Sequence, residues 1–458
     1  MKNIKVLTQD EVSDPEIRAM LQAFYSRSPM PIQERLQSLN GDEKEIKEDK
    51  IRSAIKKYYV DYGHASIGDC GDTTVFIEGV SMLAAKAIQD YPLYRGQECS
   101  TRYMDFSQAP FLIPENLPNH LAAEYQKIVE VWRGLYLRSL QTLITYAKEH
   151  YPESSVLSYK IPAERRASAY EATIKAIVFD YARGLLPCGA STSLSFHGSM
   201  RSLQDNFTRL QRHPLVEVRK VADQCLLELW KNYPNSFKEP TVDLEPTTSR
   251  FEFYDSESLP DQTVSDVSWA ASMIALSHLR TEDQGLRTNK AAKLIHLDFL
   301  GKLDFGSYRD LQRHRNGVIL QPLVEPEQAS DYYMQAYYEA DPELFDTATT
   351  LFSRLKYLDG SPEQKQYVCP MMTMVPIRGH WSLDQLRYVT RLRTKTSVHP
   401  TLRKFMQDLA SRATISWIAN VPATVADVPL RVSDVIDRSE NYQSSDRGEQ
   451  TIKEKPSA

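Results

Sequence analysis

No run of apolar residues in this sequence is long enough to cross a bilayer, and the opening Met1-Lys2-Asn3-Ile4-Lys5-Val6-Leu7 is not followed by one. Neither a signal peptide nor a membrane span is expected, and a reducing cytoplasm is the default compartment. Cysteine is scarce. Its five copies (Cys70, Cys99, Cys188, Cys225, Cys369) are scattered with no C-x-x-C pair, which argues against structural zinc and against a disulfide framework. No metal is expected. Excess positive charge is also missing. The formal net charge of −5 leaves no footprint for nonspecific nucleic-acid binding. Any nucleotide would have to be met by local basic clusters. No G-x-G-x-x-G follows a strand, so a Rossmann cofactor fold is not indicated.

What the sequence does contain is ordinary for a globular protein: 41% hydrophobic and 25% charged residues over 458 positions, enough for two or three domains. Periodicity predicts helices over 14–25, 44–59, 81–89, 121–150, 163–183, 200–212 and 215–230. Strands are expected at 4–7 and 73–80, with a polar–apolar alternation over 191–196. From Tyr233 to Gln262 the chain turns proline-rich and polar, which is linker composition. Beyond it, helices are expected over 264–278, 289–303 and 386–393. The tail from Glu440 is rich in Ser, Glu and Lys and is expected to be disordered.

The most informative stretch is Gln97-Glu98-Cys99-Ser100-Thr101-Arg102-Tyr103. In an extended segment Glu98, Ser100 and Arg102 would share a face. A carboxylate, a hydroxyl and a guanidinium can read a polar ring edge and a phosphate together. Taken alone, the stretch reads first as a surface ion pair beside a strand hydroxyl, because such pairs are common and cheap.

The pattern E-x-S-x-R-Y also resembles the end of the signature of the flavin-dependent thymidylate synthases, the ThyX family. Gly63-His64-Ala65-Ser66 and the following strand resemble that family's G-H-x-S/T turn. Ala182-Arg183-Gly184-Leu185-Leu186-Pro187 matches its A-R-x-x-L-P. Ser199-Met200-Arg201-Ser202-Leu203 matches N-A-R-x-L with Ser199 in place of Asn. Arg209 and then Glu217-Val218-Arg219 keep the family's ten-residue step, although the helix before Arg209 is one residue short.

The second part of the chain reads as a decayed copy. Arg313-His314-Arg315 is the other half of the ThyX signature, R-H-R. Tyr367-Val368-Cys369-Pro370 matches the Leu-Leu-Pro turn, and Arg403 follows Arg393 by ten residues. The losses are complementary. Where R-H-R would stand in the first copy there is Asp90-Tyr91-Pro92. Where Glu, Ser, Arg and Tyr would stand in the second there are Gln321, Leu323, Glu325 and Pro326. Gln366 stands opposite Arg183.

The resemblance implies an α/β (α+β) fold of two tandem ThyX-like lobes, each a small mixed sheet flanked by helices. The boundaries would be 1–235 and 263–438, with a linker over 236–262 and a tail over 439–458. It implies FAD-dependent reductive methylation of dUMP to dTMP, with methylenetetrahydrofolate and NADPH as co-substrates. In ThyX enzymes, which are homotetramers, the active sites lie between subunits. A fused pair would therefore form a homodimer acting as a pseudo-tetramer. By the same resemblance Glu98, Ser100, Thr101, Arg102, Arg183 and Arg313 bind the nucleotide. Arg393 and Arg209 face the pyrimidine. His64, Ser66, Gln97, Glu98, Ser199, Arg201, Arg313, His314 and Arg315 hold the flavin. Ser100 has no histidine in register to activate it, so it is expected to bind rather than attack. Other outcomes stay open: a diverged pyrimidine-modifying enzyme, a nucleotide binder without turnover, or a structural partner of an intact homologue.

Overall fold

The computed structural model describes residues 14–25, 44–61, 65–102, 104–157, 161–242, 244–246, 253, 264–265, 293, 296–395 and 397–420. The expected strand at 4–7, most of the expected 264–278 helix and the tail lie outside them. The fold is α/β, with small sheets among many helices. The chain divides into two compact units. One comprises 1–78, 93–98 and 193–248, and the other 79–92, 99–192 and 249–458.

In the first unit the Pro15–Tyr25 helix opens with Asp14, whose Oδ1 accepts from the amides of Glu16 (2.8 Å) and Ile17 (3.2 Å). Proline at the first helical position gives up only an amide that had no intrahelical partner. Ile17, Met20 and Leu21 pack with Ile51, Ile55 and Ile67 as a small core. The strands Asp72–Ser81 and Ser191–Ser199 pair as a two-stranded sheet. Beside the second of them runs the 93–98 segment. His197 N–H donates to the Arg95 carbonyl at 2.7 Å and Ser195 N–H to that of Gln97 at 2.9 Å. Gly96 is required here, because a Cβ at that position would lie 1.8 Å from the Ser195 carbonyl oxygen. The Met200–Leu210 helix is capped by Ser199, and the Val216–Asn232 helix packs on it.

The second unit is built on a four-stranded sheet in the order 264–265, 296–304, 374–382, 318–319, with every pairing antiparallel rather than mixed. Its central register runs from His296 opposite Ser382 to Asp304 opposite Met374. This corrects the expectation of a helix over 289–303, since His296–Asp304 is a strand. From His296 to Leu303 the burial alternates, with Leu297, Phe299, Gly301 and Leu303 buried and the residues between them less so, the period-two signature of a pleated strand. Val264–Ser265 is likewise a strand where a helix was expected. Long helices at Asn119–His150 and Ala163–Ala182 cover this unit.

Two matching turns of this unit meet back to back. Each is a single 3₁₀ turn, Arg183–Leu185 and Gln366–Val368, leading into a strand and then a helix. Cys188 N–H donates to the Cys369 carbonyl and Met371 N–H to that of Leu186, both at 2.8 Å. Gly189 N–H donates to Tyr367 (2.8 Å) and Met372 N–H to Gly184 (2.9 Å). With Arg183 aligned on Gln366, each bond is the image of its fellow. That is the isologous contact of two copies about a local two-fold axis.

Candidate functional site

The extended face expected at Glu98, Ser100 and Arg102 ends early. Met104 N–H donates to the Ser100 carbonyl at 3.0 Å, so the backbone turns at Thr101–Arg102 and the alternation is lost. The Arg102 amide donates to Ser100 Oγ at 3.3 Å. The turn aims the Arg102 guanidinium at Asp180, near the end of the Ala163–Ala182 helix. Nε and Nη2 donate to its two oxygens at 2.6 and 2.9 Å, and Nη2 also reaches the Ser397 carbonyl at 3.1 Å. This bidentate pair is largely buried, the geometry in which an arginine–carboxylate pair is strongest. Burial pushes the Asp180 carboxyl up, against the pull of Arg102 and Arg183. Thr101 is buried, and its hydroxyl accepts from Arg309 Nη1 at 3.3 Å.

Arg183 follows the same helix and is 1% exposed. Each of its three nitrogens finds a partner inside the protein. Nε donates to the Tyr333 hydroxyl (3.3 Å), Nη2 to Ser307 Oγ (3.2 Å) and Nη1 to Asp310 Oδ2 (3.5 Å). Behind these stands Asp304, which accepts from the Tyr333 hydroxyl at 3.1 Å and from Thr401 Oγ1 at 2.5 Å. Buried His399 completes the layer beside Tyr333 and Thr401, and burial holds its pKa well down. A cation that only neutralised a helix terminus would not need such a setting.

Asp310 sits where the remaining arginines converge. Arg313 Nε lies 3.7 Å from Oδ1, and Arg393 Nη2 donates to the Asp310 carbonyl at 3.2 Å. Burial alone would push the Asp310 carboxyl up. The fields of Arg313, Arg183, Arg102 and Arg393 outweigh it and hold the group well below the usual carboxylate range. Arg393 Nε donates to His314 Nε2 at 2.7 Å, so His314 is the neutral acceptor. Burial and the Arg393 charge bring its pKa down to about 3. The R-H-R segment is tied to the Met82–Gln89 helix. Arg315 Nε donates to the Gln89 carbonyl at 2.7 Å and Gln312 Nε2 to that of Lys86 at 3.2 Å. The cluster reaches solvent through Arg313, whose side chain is 41% exposed. A cavity of about 240 Å³ is lined by Asp180, Tyr332, Ser397 and Arg403, two of them partners of Arg102. A larger one, about 740 Å³, is lined by none of these arginines.

Four expected site arginines are thus brought together: Arg102, Arg183, Arg313 and Arg393. They arrive from the E-x-S-x-R-Y fragment, the A-R-x-x-L-P turn, the R-H-R triplet and a helix end. An excess of guanidinium over carboxylate, with Arg313 exposed, can hold an anion. Asp180, Asp304, Asp310 and Tyr333 were not foreseen, and only Asp310, three residues before Arg313 on one helical turn, left a trace in the sequence.

Ser66, Gln97, Glu98, Ser199, Arg201 and Arg209 belong to the first unit. Gln97 and Ser66 are exposed, and Glu98 is half-buried. Ser199 Oγ caps the Met200–Leu210 helix by accepting from Ser202 N–H at 3.1 Å. Arg201 pairs with Asp69 (3.0 Å) and Asp205 (3.6 Å) at the surface. Arg209 donates to Asn206 Oδ1 at 3.2 Å. His64 and Tyr103 lie outside the described residues. Among the described residues no group of three His, Cys, Asp or Glu could hold a metal ion, and no helix is long and apolar enough to cross a membrane.

Proteins named UPF0159 protein are similar over most of their length. That of Chlamydia muridarum is 28% identical over 79% of this chain and 78% of its own. That of Chlamydia pneumoniae is 25% identical over 75% and 74%. A Thermoplasma acidophilum relative is 23% identical over 84% of this chain and 90% of its own. Among solved structures, thymidylate synthase X (ThyX) from Helicobacter pylori with FAD and dUMP aligns with 39% of this chain and 99% of its own. The identity there is 14% and the TM-score 0.27. The family model described as thymidylate synthase complementing protein matches residues 5–235, half of the sequence. With its two matching turns and two sets of signature fragments, the chain belongs to the thymidylate synthase complementing protein (ThyX) family, in a tandem-duplicated form.

Proposed function

We propose that this protein is a flavin-dependent thymidylate synthase, converting dUMP to dTMP with methylenetetrahydrofolate as carbon donor and NADPH as reductant. The observation that carries the reading is the convergence of Arg102, Arg183, Arg313 and Arg393 around Asp310. Each comes from a different fragment of the ThyX signature, and fragments missing from one half are supplied by the other. In this reading Arg102, Arg183 and Arg313 hold the nucleotide phosphate, whose geometry suits a planar fork of donors. Ser100 and Thr101 hold the backbone turn that aims Arg102, and Glu98 meets the base. Arg393, fixed by His314, presents a positive charge to the pyrimidine as its ring becomes anionic. Arg209 is its counterpart in the other copy.

The donor set suits FAD. Ser199 and Arg201 offer a hydroxyl and an exposed guanidinium at a helix start, chemistry that fits a diphosphate. Asp69 and Asp205 are themselves exposed, so exchanging them costs little. His64, Ser66, Gln97 and Glu98 are the other flavin residues of the first unit, and Arg313 and Arg315 those of the second. Bound FAD would supply the hydride, with NADPH visiting only to reduce it. His314, with Nε2 turned to Arg393, serves position rather than flavin contact. The assembly is a homodimer of this chain, cytoplasmic, with one working site per chain.

A second reading is a nucleotide-binding homologue without turnover. It is favoured by the Arg102 fork, whose donors are already on Asp180 and Ser397. Rescue of a thymidine-requiring host decides between them. Under the first reading the wild type rescues, and Arg313→Ala and Glu98→Ala each abolish rescue. Full rescue by either variant sinks the composite site. A purified protein that binds dUMP, lacks flavin absorbance and fails to rescue leaves the second.

A further inference from the structure

The arginine cluster already holds an anion of its own. Asp310 presents one carboxylate oxygen 3.5 Å from Arg183 and the other 3.7 Å from Arg313, and its carbonyl oxygen accepts from Arg393. Of the groups around it, Arg183 and Arg102 are enclosed and Arg313 faces solvent. Asp310, whose side chain is 16% exposed, therefore stands between the exposed Arg313 and the enclosed Arg183.

We infer that Asp310 is a specificity-determining residue, an internal carboxylate that competes for the anion seat and admits only an anion of higher charge than its own. The inference rests on the reading of this cluster as a phosphate site. A carboxylate carries one negative charge and a phosphate monoester about two near neutral pH. Only the second gains enough from the guanidinium groups to offset both the loss of the Asp310 contacts and repulsion by Asp310 itself. Monoanions, such as carboxylates or phosphodiesters, gain no more than Asp310 already provides. Asp310 acts on the ligand through the arginines and by direct repulsion, and takes no part in bond making.

A purely structural role predicts the opposite sign. If Asp310 merely kept like charges together, its neutralisation would scatter the arginines and weaken anion binding. The test is isothermal titration of the full chain, wild type against Asp310→Asn, with inorganic phosphate, sulfate and nitrate at fixed ionic strength. Asp310→Asn should bind phosphate and sulfate about tenfold tighter, and nitrate should become measurable, so that discrimination falls. Unchanged or weaker binding by a folded variant overturns the inference. Should the variant fail to fold, the wild type and Arg313→Ala decide together, since sulfate is a general stabiliser and only a difference that needs Arg313 reports the site. Sulfate should raise the wild type's melting temperature more than nitrate at equal ionic strength, and Arg313→Ala should erase that difference. Equal effects of the two salts, or a difference that Arg313→Ala leaves intact, overturn the inference. dUMP titrated in parallel separates the two claims: phosphate binding with the expected Asp310 dependence but no dUMP binding removes the proposed function and leaves the gate.

Discussion

Tyr333→Phe removes one oxygen from the floor of the arginine cluster and leaves the ring volume intact, so no cavity term enters. The hydroxyl is fully engaged. It accepts from Arg183 Nε at 3.3 Å, lies 3.3 Å from His399 Nε2, and donates to Asp304 Oδ1 at 3.1 Å. One donor and two acceptor sites are all that a phenol has. Two of its three partners are charged and all are buried, where a hydrogen bond to a charged group is worth about 1.5–3 kcal/mol. The two do not add in full, because Arg183 and Asp304 attract each other across the gap. A loss of about 3 kcal/mol is expected. Tyr337→Phe is the internal control. That hydroxyl donates to the neutral Tyr181 carbonyl at 2.8 Å, and its removal should cost about 1 kcal/mol.

The assay is urea denaturation of both variants, read as a midpoint shift at unchanged slope. A double-mutant cycle of Tyr333→Phe with Asp304→Asn then measures the pair, and a coupling above about 1 kcal/mol is expected. If Tyr333→Phe costs no more than Tyr337→Phe, or the cycle closes additively, the buried layer does not hold Arg183 as argued.

Two further outcomes follow from single residues. His314 is neutral in the fold with its pKa brought down to about 3 from an ordinary 6.5, so the unfolded chain takes up a proton that the fold refuses. Its contribution is complete above pH 6.5 and is lost as pH falls towards 3, at up to about 1.4 kcal/mol per pH unit. Denaturation of His314→Gln, which keeps an acceptor for Arg393, should show a shallower loss over that window, and parallel curves would refute the assignment. Gly317 has φ 146°, and a Cβ there would lie 2.5 Å from Cδ1 of buried Trp381. Gly317→Ala should therefore lower stability by about 2 kcal/mol or more, and a neutral result in thermal melting would show that the 318–319 edge strand yields freely.

What could be read from the sequence was what is local. The Pro15–Tyr25 and Asn119–His150 helices and the strand at Asp72–Ser81 announce themselves through caps and periodicity. The His296–Asp304 strand did not, because Leu297, Phe299, Leu300 and Leu303 fit helical spacing as well as alternation. What decides the matter is its pairing with Met374–Ser382, some 80 residues on. The arginines were visible as motif residues, but their counter-charges were not. Arg102 and Asp180 are 78 residues apart, and Arg183 and Asp310 are 127 apart. No spacing rule spans such distances. The turn that ends the Glu98–Arg102 alternation was missed because E-x-S-x-R reads as strand until Met104 closes back on Ser100.

Duplication also explains how the charges of the cluster could change in company. In a symmetric assembly of identical chains, an arginine lost from one site is lost from all. Once two copies share a chain, one of the two sites between them can keep the set while the other lacks it. With the two copies aligned through the strand-to-helix junctions at Ser81 and Asp304, Ala87 occupies the place of Asp310, and Gln366 that of Arg183. The cation and its carboxylate are absent together, as burial demands, because either alone would be an uncompensated charge. Gln366 is fully buried, and its Oε1 accepts from Val324 N–H at 3.0 Å. Restoring the arginine alone, Gln366→Arg, should therefore destabilise by about 3–5 kcal/mol. Adding Ala87→Asp should recover part of that loss, since the pseudo-symmetry predicts that the new carboxylate faces the new guanidinium. Circular dichroism melts of the two single variants and the double variant measure this. If Ala87→Asp worsens Gln366→Arg by as much as it harms the wild type, the two positions do not face each other, and the paired absence of charge at this pseudo-symmetric site has no structural basis.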